Sequence, residues 1–168
     1  MKEIILSAIT VFFVLFSCSQ TVSDTARRSS YCLSQSEAEN ILGQPAVLID
    51  HSSETKKNVV RHRCTYAASA NSTTDRSSNL YFLLEQYPDS LSAKRAYADL
   101  VSSNQNMPGQ KKINDIGNEA LLQTDGNNFD LITFRIKDKL LVIKINKITV
   151  TTSLKELQNI SQKMALRL

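Results

Sequence analysis

The order of hydrophobic periodicities along residues 34–168 limits the folds open to this chain more than any other feature. A helical pattern is followed by three strand patterns, a second helix, about three further strands and a third helix. The connections between successive strands are short, which favours antiparallel pairing over strand–helix–strand crossovers. The sequence therefore predicts a single α+β domain, with an antiparallel sheet of about five to seven strands packed against about three helices.

Side-chain patterns at the helix ends place these helices. Ser34 with Glu37, and Ser153 with Glu156, have the spacing of capping boxes, in which an N-cap hydroxyl and a carboxylate three residues later satisfy free backbone amides. We therefore expect one helix to begin after Ser34 and another after Ser153. A further amphipathic helix follows Pro88, with apolar residues at Ala93, Ala96, Tyr97, Leu100 and Val101.

The most informative strand pattern covers residues 59–67. Alternation puts His62 and Cys64 on one face of this strand and Arg61 and Arg63 on the other. The order of one helix followed by about three strands occurs twice, which is consistent with two diverged helix-plus-strands units. The other expected elements are a short strand at 46–49, a turn at 52–57, a central strand at 80–87 that is apolar on both faces, a short strand at 120–123 and a hairpin formed by 129–136 and 140–145.

The amino-terminal thirty residues have a different character. Residues 4–16 form an apolar run that is too short to cross a bilayer, which needs about 20 such residues. Residues 19–30 are rich in Ser and Thr and lack apolar periodicity, as expected of a flexible tether. Between them stands the sequence Leu15-Phe16-Ser17-Cys18, which resembles the lipobox of a bacterial lipoprotein signal peptide.

That resemblance implies a definite organisation of the chain. In lipoproteins the lipobox cysteine becomes the mature amino terminus and carries lipid, so residues 1–17 would be a signal peptide, 18–30 a lipidated tether and 31–168 the domain. It further implies a cell-envelope location outside the cytoplasm, with Cys18 as the membrane anchor. An ordinary signal peptide that is cut nearby, with Cys18 incidental, is the alternative.

The cysteine count agrees with this organisation. The chain has three cysteines, and an odd number in a secreted protein leaves one thiol to be explained. If Cys18 carries lipid, Cys32 and Cys64 remain as an even pair in an oxidising compartment, where we expect a disulfide. Such a bridge closes a loop of about 33 residues, which removes roughly 3–4 kcal/mol of denatured-state freedom. Two buried free thiols are the alternative.

Residues that carry catalytic or metal chemistry are sparse. The sequence contains no HExxH, CxxC, GxSxG or GxxxxGK[ST] motif, so it predicts no catalytic residue and no cofactor. The chain has two histidines, and His62 beside a cysteine strand is more typical of a structural residue than of a base. Asp50-His51 with Glu54 is the one local combination of metal-ligand types, and a polar turn is its simpler interpretation, so no metal site is predicted.

Charge suggests a weak preference among partners. The formal net charge is +4, but the basic residues are dispersed rather than massed on one stripe, which argues against nucleic acid. Arg61 and Arg63, two residues apart on one strand face, are the best candidates for contacts with an anionic partner, since paired guanidiniums bind carboxylate or phosphate. The alternative is that they keep an exposed sheet face soluble and unpaired.

Two function classes remain. The domain is loosely similar in pattern to small actinobacterial envelope lipoprotein domains of unknown function, through Leu42-Gly43, Cys64-x-Tyr66, the helix near Ala93 and Ile116-Gly117-Asn118-Glu119-Ala120. This likeness implies no active site. We expect a non-enzymatic, membrane-anchored binding or accessory module whose partner is an envelope protein or an anionic polymer. The alternative is an extracytoplasmic hydrolase whose site assembles only in three dimensions.

Overall fold

A computed structural model describes residues 31–69, 78–107 and 109–168 of the chain. The predicted signal peptide, Cys18 and the tether lie outside these ranges. Within them the chain forms one α+β domain with three helices and a seven-stranded antiparallel sheet, which confirms the predicted fold class. The elements are α1 (Gln35–Leu42), β1 (Ala46–Lys56), β2 (Val59–Ala68), β3 (Asn79–Gln86), α2 (Ser90–Ser103), β4 (Lys111–Ile113), β5 (Glu119–Thr124), β6 (Asp130–Ile136), β7 (Lys139–Ile145) and α3 (Leu154–Arg167).

The sheet consists of two meanders joined at its centre. Its strand order is β1-β2-β3-β7-β6-β5-β4, so β1 and β4 are the edges and β3 pairs with β7. Leu80 lies opposite Ile145 and Gln86 lies opposite Lys139 in that central pair. The predicted central position of β3 is thereby confirmed, and its apolar residues on both faces follow from it.

The helices cover the two faces of the sheet differently. We call the face packed against α1 and α3 the α1/α3 face, and the face packed against α2 the α2 face. The α1/α3 face holds the hydrophobic core, and most of its largest fully buried side chains belong to β2, β3, β6, β7 and α1. These residues include Tyr66, Phe82, Leu84, Ile132, Phe134, Leu141, Ile143, Ile41 and Leu42.

The connection between α1 and the loop before α3 depends on one glycine. Gly43 ends α1 with φ 67°, a left-handed conformation that glycine adopts without steric cost. A Cβ atom at this position would lie 1.9 Å from the carbonyl oxygen of Thr151. The Thr151 hydroxyl also donates to the Leu42 carbonyl oxygen at 3.0 Å, and the Ser153 amide donates to Ile41 at 2.9 Å. The start of α3 is therefore fixed against the end of α1.

Capping chemistry begins α1 and α3 where the sequence predicts. The Ser34 hydroxyl accepts a hydrogen bond from the Glu37 amide at 3.2 Å, and Glu37 accepts one from the Ser34 amide at 2.7 Å. At α3 the Ser153 hydroxyl accepts from the Glu156 amide at 3.2 Å, while the Glu156 carboxylate accepts from Asn159.

The edges of the sheet differ from the sequence-based prediction. The predicted turn at 52–57 is wrong, because β1 continues as a strand to Lys56. The reversal is made by Lys57 and Asn58, with φ 50° and 62°, as a two-residue hairpin loop. The far half of β1 is polar because the edge strand faces solvent there. The short edge strand β4 was not predicted, since three mostly exposed residues show no usable periodicity.

None of the helices in the described ranges is long and apolar enough to cross a membrane.

Candidate functional site

A groove lies between α2 and the β4–β5 edge of the sheet. Its volume is about 590 Å³, which falls within the range typical of small-molecule sites. Apolar side chains from both sides contribute Val101, Ile113 and Leu121, and the cations Lys94 and Lys112 also line it. The groove therefore combines an apolar interior with two positive charges.

The position of α2 over the sheet follows from its first turn. The Asp89 carboxylate accepts hydrogen bonds from the Ser92 amide at 2.7 Å and from the Ser92 hydroxyl at 2.9 Å. Ala93, one turn into the helix, is fully buried. Such a small side chain allows close packing of the helix on the sheet at this end. The groove lies against the more C-terminal residues of the helix, from Lys94 onward.

A buried arginine lies beneath α2 on the α2 face. Arg135 pairs with Glu119, whose Oε2 atom is 3.3 Å from Nε. Its Nη1 atom donates to the Lys137 carbonyl oxygen at 2.9 Å and to the Ser90 hydroxyl at 3.3 Å. Burial raises the pKa of Tyr97 in the groove wall, and Glu119 raises it further, while Arg135 acts in the opposite direction. Tyr97 is therefore a neutral hydroxyl at physiological pH.

Two buried polar atoms near the groove have no hydrogen-bond partner among the described residues. They are Gln123 Oε1 and Thr133 Oγ1, and both residues are fully buried. Thr133 lies directly opposite Leu121 across the β5–β6 pair, and Gln123 follows two residues later on the same face. The amide nitrogen of Gln123 donates to the sulfur of Met107 at 3.7 Å. Such atoms favour a bound water or a polar ligand group, since an unsatisfied buried oxygen is costly.

A second, more polar groove lies on the other side of β4. It has a volume of about 340 Å³ and is bounded by β4, the following loop and α3. Gln162 of α3 donates a hydrogen bond to Asp115 across it. Lys112, Ile113 and Asn114 line both grooves, so the β4 edge separates the two.

The predicted anion-contact residues lie elsewhere, at the opposite end of the sheet. Arg61 and Arg63 share the α2 face, as the alternation predicts. Arg61 Nε is 2.5 Å from Glu85 Oε1, and Arg63 Nη2 is 2.8 Å from Glu54 Oε1. The hydrogen bond and the charge of Glu85 raise the pKa of Arg61. An anionic partner would therefore compete with two carboxylates for these guanidiniums.

The predicted disulfide is present. Cys32 and Cys64 are bonded with their Cα atoms 6.1 Å apart, within the usual range. The bridge ties the segment before α1 to the middle of β2. The predicted lipidation site, Cys18, lies outside the described residues.

Both histidines lie on the α1/α3 face, away from the groove. His62 stacks on Tyr31 with the ring centroids 4.2 Å apart, and burial lowers its pKa, with a further contribution from His51. His51 lies opposite Cys64 in the β1–β2 pair. The predicted polar turn at Asp50-His51 with Glu54 is wrong, because all three residues belong to β1.

Sequence reasoning missed most of the groove. The sequence predicts Tyr97 as a helix-face residue and places Glu119 in the Ile116-Gly117-Asn118-Glu119-Ala120 likeness, but it assigns neither to a site and does not point to Gln123, Thr133 or Arg135. Their signal is polar residues at alternating positions in β5 and β6, on the face opposite the apolar residues. That signal identifies a buried polar face only when a helix is known to cover it.

Comparisons with models of protein families, with curated proteins and with solved structures found no match to this chain.

Proposed function

We propose that this protein is a non-enzymatic binding module of the cell envelope, held to a membrane by lipid on Cys18. Its ligand site is the groove between α2 and the β4–β5 edge. The observation that carries the binding site is the apolar groove, whose lining residue Leu121 lies on the same sheet face as two buried residues with unsatisfied oxygens, Gln123 and Thr133. A partner of matching chemistry has an apolar body and a polar group.

The composition of the groove supports binding more than catalysis. No histidine or cysteine is among the described residues that line it. Glu119, its one carboxylate, already pairs with the buried Arg135. The groove thus offers shape, hydrogen bonding and the positive charges of Lys94 and Lys112, which are the means of recognition rather than of nucleophilic attack.

Two observations support the envelope location. The Cys32–Cys64 disulfide is typical of proteins that fold in an oxidising compartment. The lipobox-like Leu15-Phe16-Ser17-Cys18 provides the anchor, since two or more acyl chains hold a protein stably at a bilayer.

The anchor is tested by expressing the full chain in a bacterium and separating membrane and soluble fractions. We expect the parent in the membrane fraction, and mass spectrometry should find acyl chains on its Cys18. Cys18→Ala should carry no lipid and appear in the soluble fraction. A free thiol at Cys18, or cleavage at another residue, contradicts the anchor while leaving the groove untouched.

The groove is tested with 1-anilinonaphthalene-8-sulfonate, an amphipathic anionic dye. Its affinity for the folded protein is measured from the change in dye fluorescence on binding. Ala98→Trp fills the groove from its exposed rim, so we expect the dye affinity to fall by about tenfold or more, the equivalent of about 1.4 kcal/mol.

The matched control is Leu166→Trp, which adds the same side chain at an exposed position of α3, distant from the groove. It should leave dye binding unchanged. Equal dye binding by the parent and Ala98→Trp would overturn the groove as the binding site.

A further inference from the structure

A second cluster of chemically active side chains surrounds the disulfide on the α1/α3 face. The sulfur atoms of Cys32 and Cys64 and a ring nitrogen of His51 all lie within 4.8 Å of one another. Cys64 is fully buried, Cys32 is 5% exposed and His51 is partly exposed on the edge strand β1. Two thiols and an imidazole are the ligand types that zinc prefers in proteins.

His51 provides an independent indication of a ligand. Its Nε2 atom is buried and has no hydrogen-bond partner among the described residues. A ring nitrogen in that position is either an unsatisfied donor or an unsatisfied lone pair. Because buried polar atoms are rarely left unpaired, this nitrogen is suited to a partner that the protein itself does not supply.

The register of the β1–β2 hairpin creates this arrangement. His51 and Cys64 are direct neighbours across the two strands, so their side chains point to the same face. Cys32 comes from the segment before α1, which the Tyr66 hydroxyl fixes by donating to the Leu33 carbonyl oxygen. β1, β2 and the segment before α1 thus meet at one point. Strand pairing and the Tyr66 hydrogen bond hold these segments together in addition to the Cys32–Cys64 disulfide.

We infer that the reduced form of the protein binds one zinc ion through Cys32 Sγ, Cys64 Sγ and His51 Nε2. Two thiolates 2.3 Å from a tetrahedral zinc ion are roughly 3.8 Å apart, so after reduction the two sulfur atoms must separate by about 1.7 Å from their bonded distance, while the His51 ring nitrogen already lies within 4.8 Å of both. Two thiolates, a neutral imidazole and Zn²⁺ sum to zero charge, which a buried site favours over a charged complex. The cluster supplies three protein ligands, so water would complete the four-coordinate shell.

Oxidation state controls this site. Exchange with a dithiol breaks the Cys32–Cys64 bond and transfers two electrons and two protons to the two sulfur atoms, and the dithiol becomes a disulfide. Zinc then displaces the two thiol protons. Oxidation reverses the process by releasing the metal and re-forming the bridge. The cluster therefore exists in a disulfide form and a zinc form, and this inference is independent of the ligand groove.

The experiment uses the full chain carrying Cys18→Ala, so that only Cys32 and Cys64 supply thiolates. A phosphine reduces the protein, and Zn²⁺ is titrated in competition with a chromophoric chelator. We expect one zinc ion per reduced chain and none per oxidised chain. Replacing a residue that only orients a metal ligand costs about 10–100-fold in metal affinity. His51→Ala removes a ligand itself, so it should weaken zinc binding by about 100-fold or more.

His62→Gln is the matched control. His62 lies on the same face and next to the cluster, but its ring stacks on Tyr31, so the change should leave zinc affinity within about twofold. Cobalt supplies a second readout, since a thiolate-to-cobalt charge-transfer band and tetrahedral d–d bands should appear in the parent and be altered in His51→Ala.

Circular dichroism distinguishes loss of the site from loss of the fold. If reduction unfolds the chain, zinc should restore the folded spectrum in the parent and fail to do so in His51→Ala. The inference is overturned if the reduced parent binds no stoichiometric zinc, if zinc leaves an unfolded reduced chain unfolded, or if His51→Ala binds as tightly as the parent.

Discussion

The two faces of the sheet bury side chains of different chemistry. On the α1/α3 face, aromatic and branched aliphatic side chains interlock, and the buried Tyr66 hydroxyl has a partner in the Leu33 carbonyl oxygen. On the α2 face, Arg135, Gln123 and Thr133 are buried under one helix, and two of these three residues carry unpartnered oxygens.

This difference separates the folding core of the domain from its candidate binding groove. A face covered by two helices and filled with apolar groups supplies most of the free energy of folding, since buried apolar area contributes about 25 cal/mol per Å². A face covered by one helix leaves a groove at its edge and retains polar groups that the fold itself does not satisfy. The structure thus assigns the folding core to one face and the candidate binding groove to the other.

The sharpest test compares neighbouring positions of β6 that point to opposite faces. Phe134 is fully buried on the α1/α3 face, and Phe134→Ala should lower the free energy of unfolding by about 3–5 kcal/mol. Leu131 is half-buried on the α2 face of the same strand, and Leu131→Ala should lower the free energy of unfolding by about 1–2 kcal/mol. Urea denaturation measures both, and equal losses would show that the two faces contribute alike.

A pH titration tests the buried phenol of Tyr66 on the α1/α3 face. Burial raises the pKa of Tyr66 to about 12, with a smaller contribution from Glu37. Below pH 10 the phenol is neutral in both folded and unfolded chains. Above it the unfolded chain loses the proton first, so stability should fall by about 2–3 kcal/mol as the pH rises from 10 to 12.

The comparison variant for that titration is Tyr66→Phe, which cannot ionise. Subtracting its unfolding free energy from that of the parent cancels the titration of other groups. The difference should decrease across this pH interval. A difference that stays constant would mean that Tyr66 ionises equally in the folded and unfolded chains.

The smallest effect is expected on the α2 face. Thr133→Val removes an unpartnered buried hydroxyl and keeps the shape of the side chain, so stability should be unchanged or rise by up to about 1 kcal/mol. Thr65→Val, half-buried on the same face in β2, is the control and should change little. A loss above 1 kcal/mol at Thr133 would reveal a hydrogen bond, such as one to water, that is important for folding.

Local chemistry made much of the fold predictable from the sequence. The helix starts follow from Ser34 and Ser153, whose hydroxyls compete for nearby amides in any folded context. The central strand β3 follows from apolar residues on both faces, and the disulfide follows from the cysteine count. These features depend on residues close in sequence or on simple pairing, so a pattern is enough to find them.

Solvent exposure obscured the edges of the sheet. Only tertiary contacts keep β1 extended through polar residues to Lys56, because its pairing with β2 satisfies the backbone while the side chains remain in water. The same holds for β4, whose three residues become a strand by pairing with β5. An edge strand needs no apolar face, and periodicity therefore does not reveal it.

The sequence by itself determined the α+β class, the helix caps, the core strands and the cysteine pair, because each is encoded by neighbouring residues or by composition. Tertiary structure alone decided which polar residues share a site. Gln123 and Thr133 share one sheet face with the groove residue Leu121 because β5 pairs with β6 in this register. His51 lies near Cys64 because the two residues face each other in the β1–β2 hairpin, and Cys32 reaches them from the segment before α1. Such convergence joins residues far apart in the chain, and no local pattern records it.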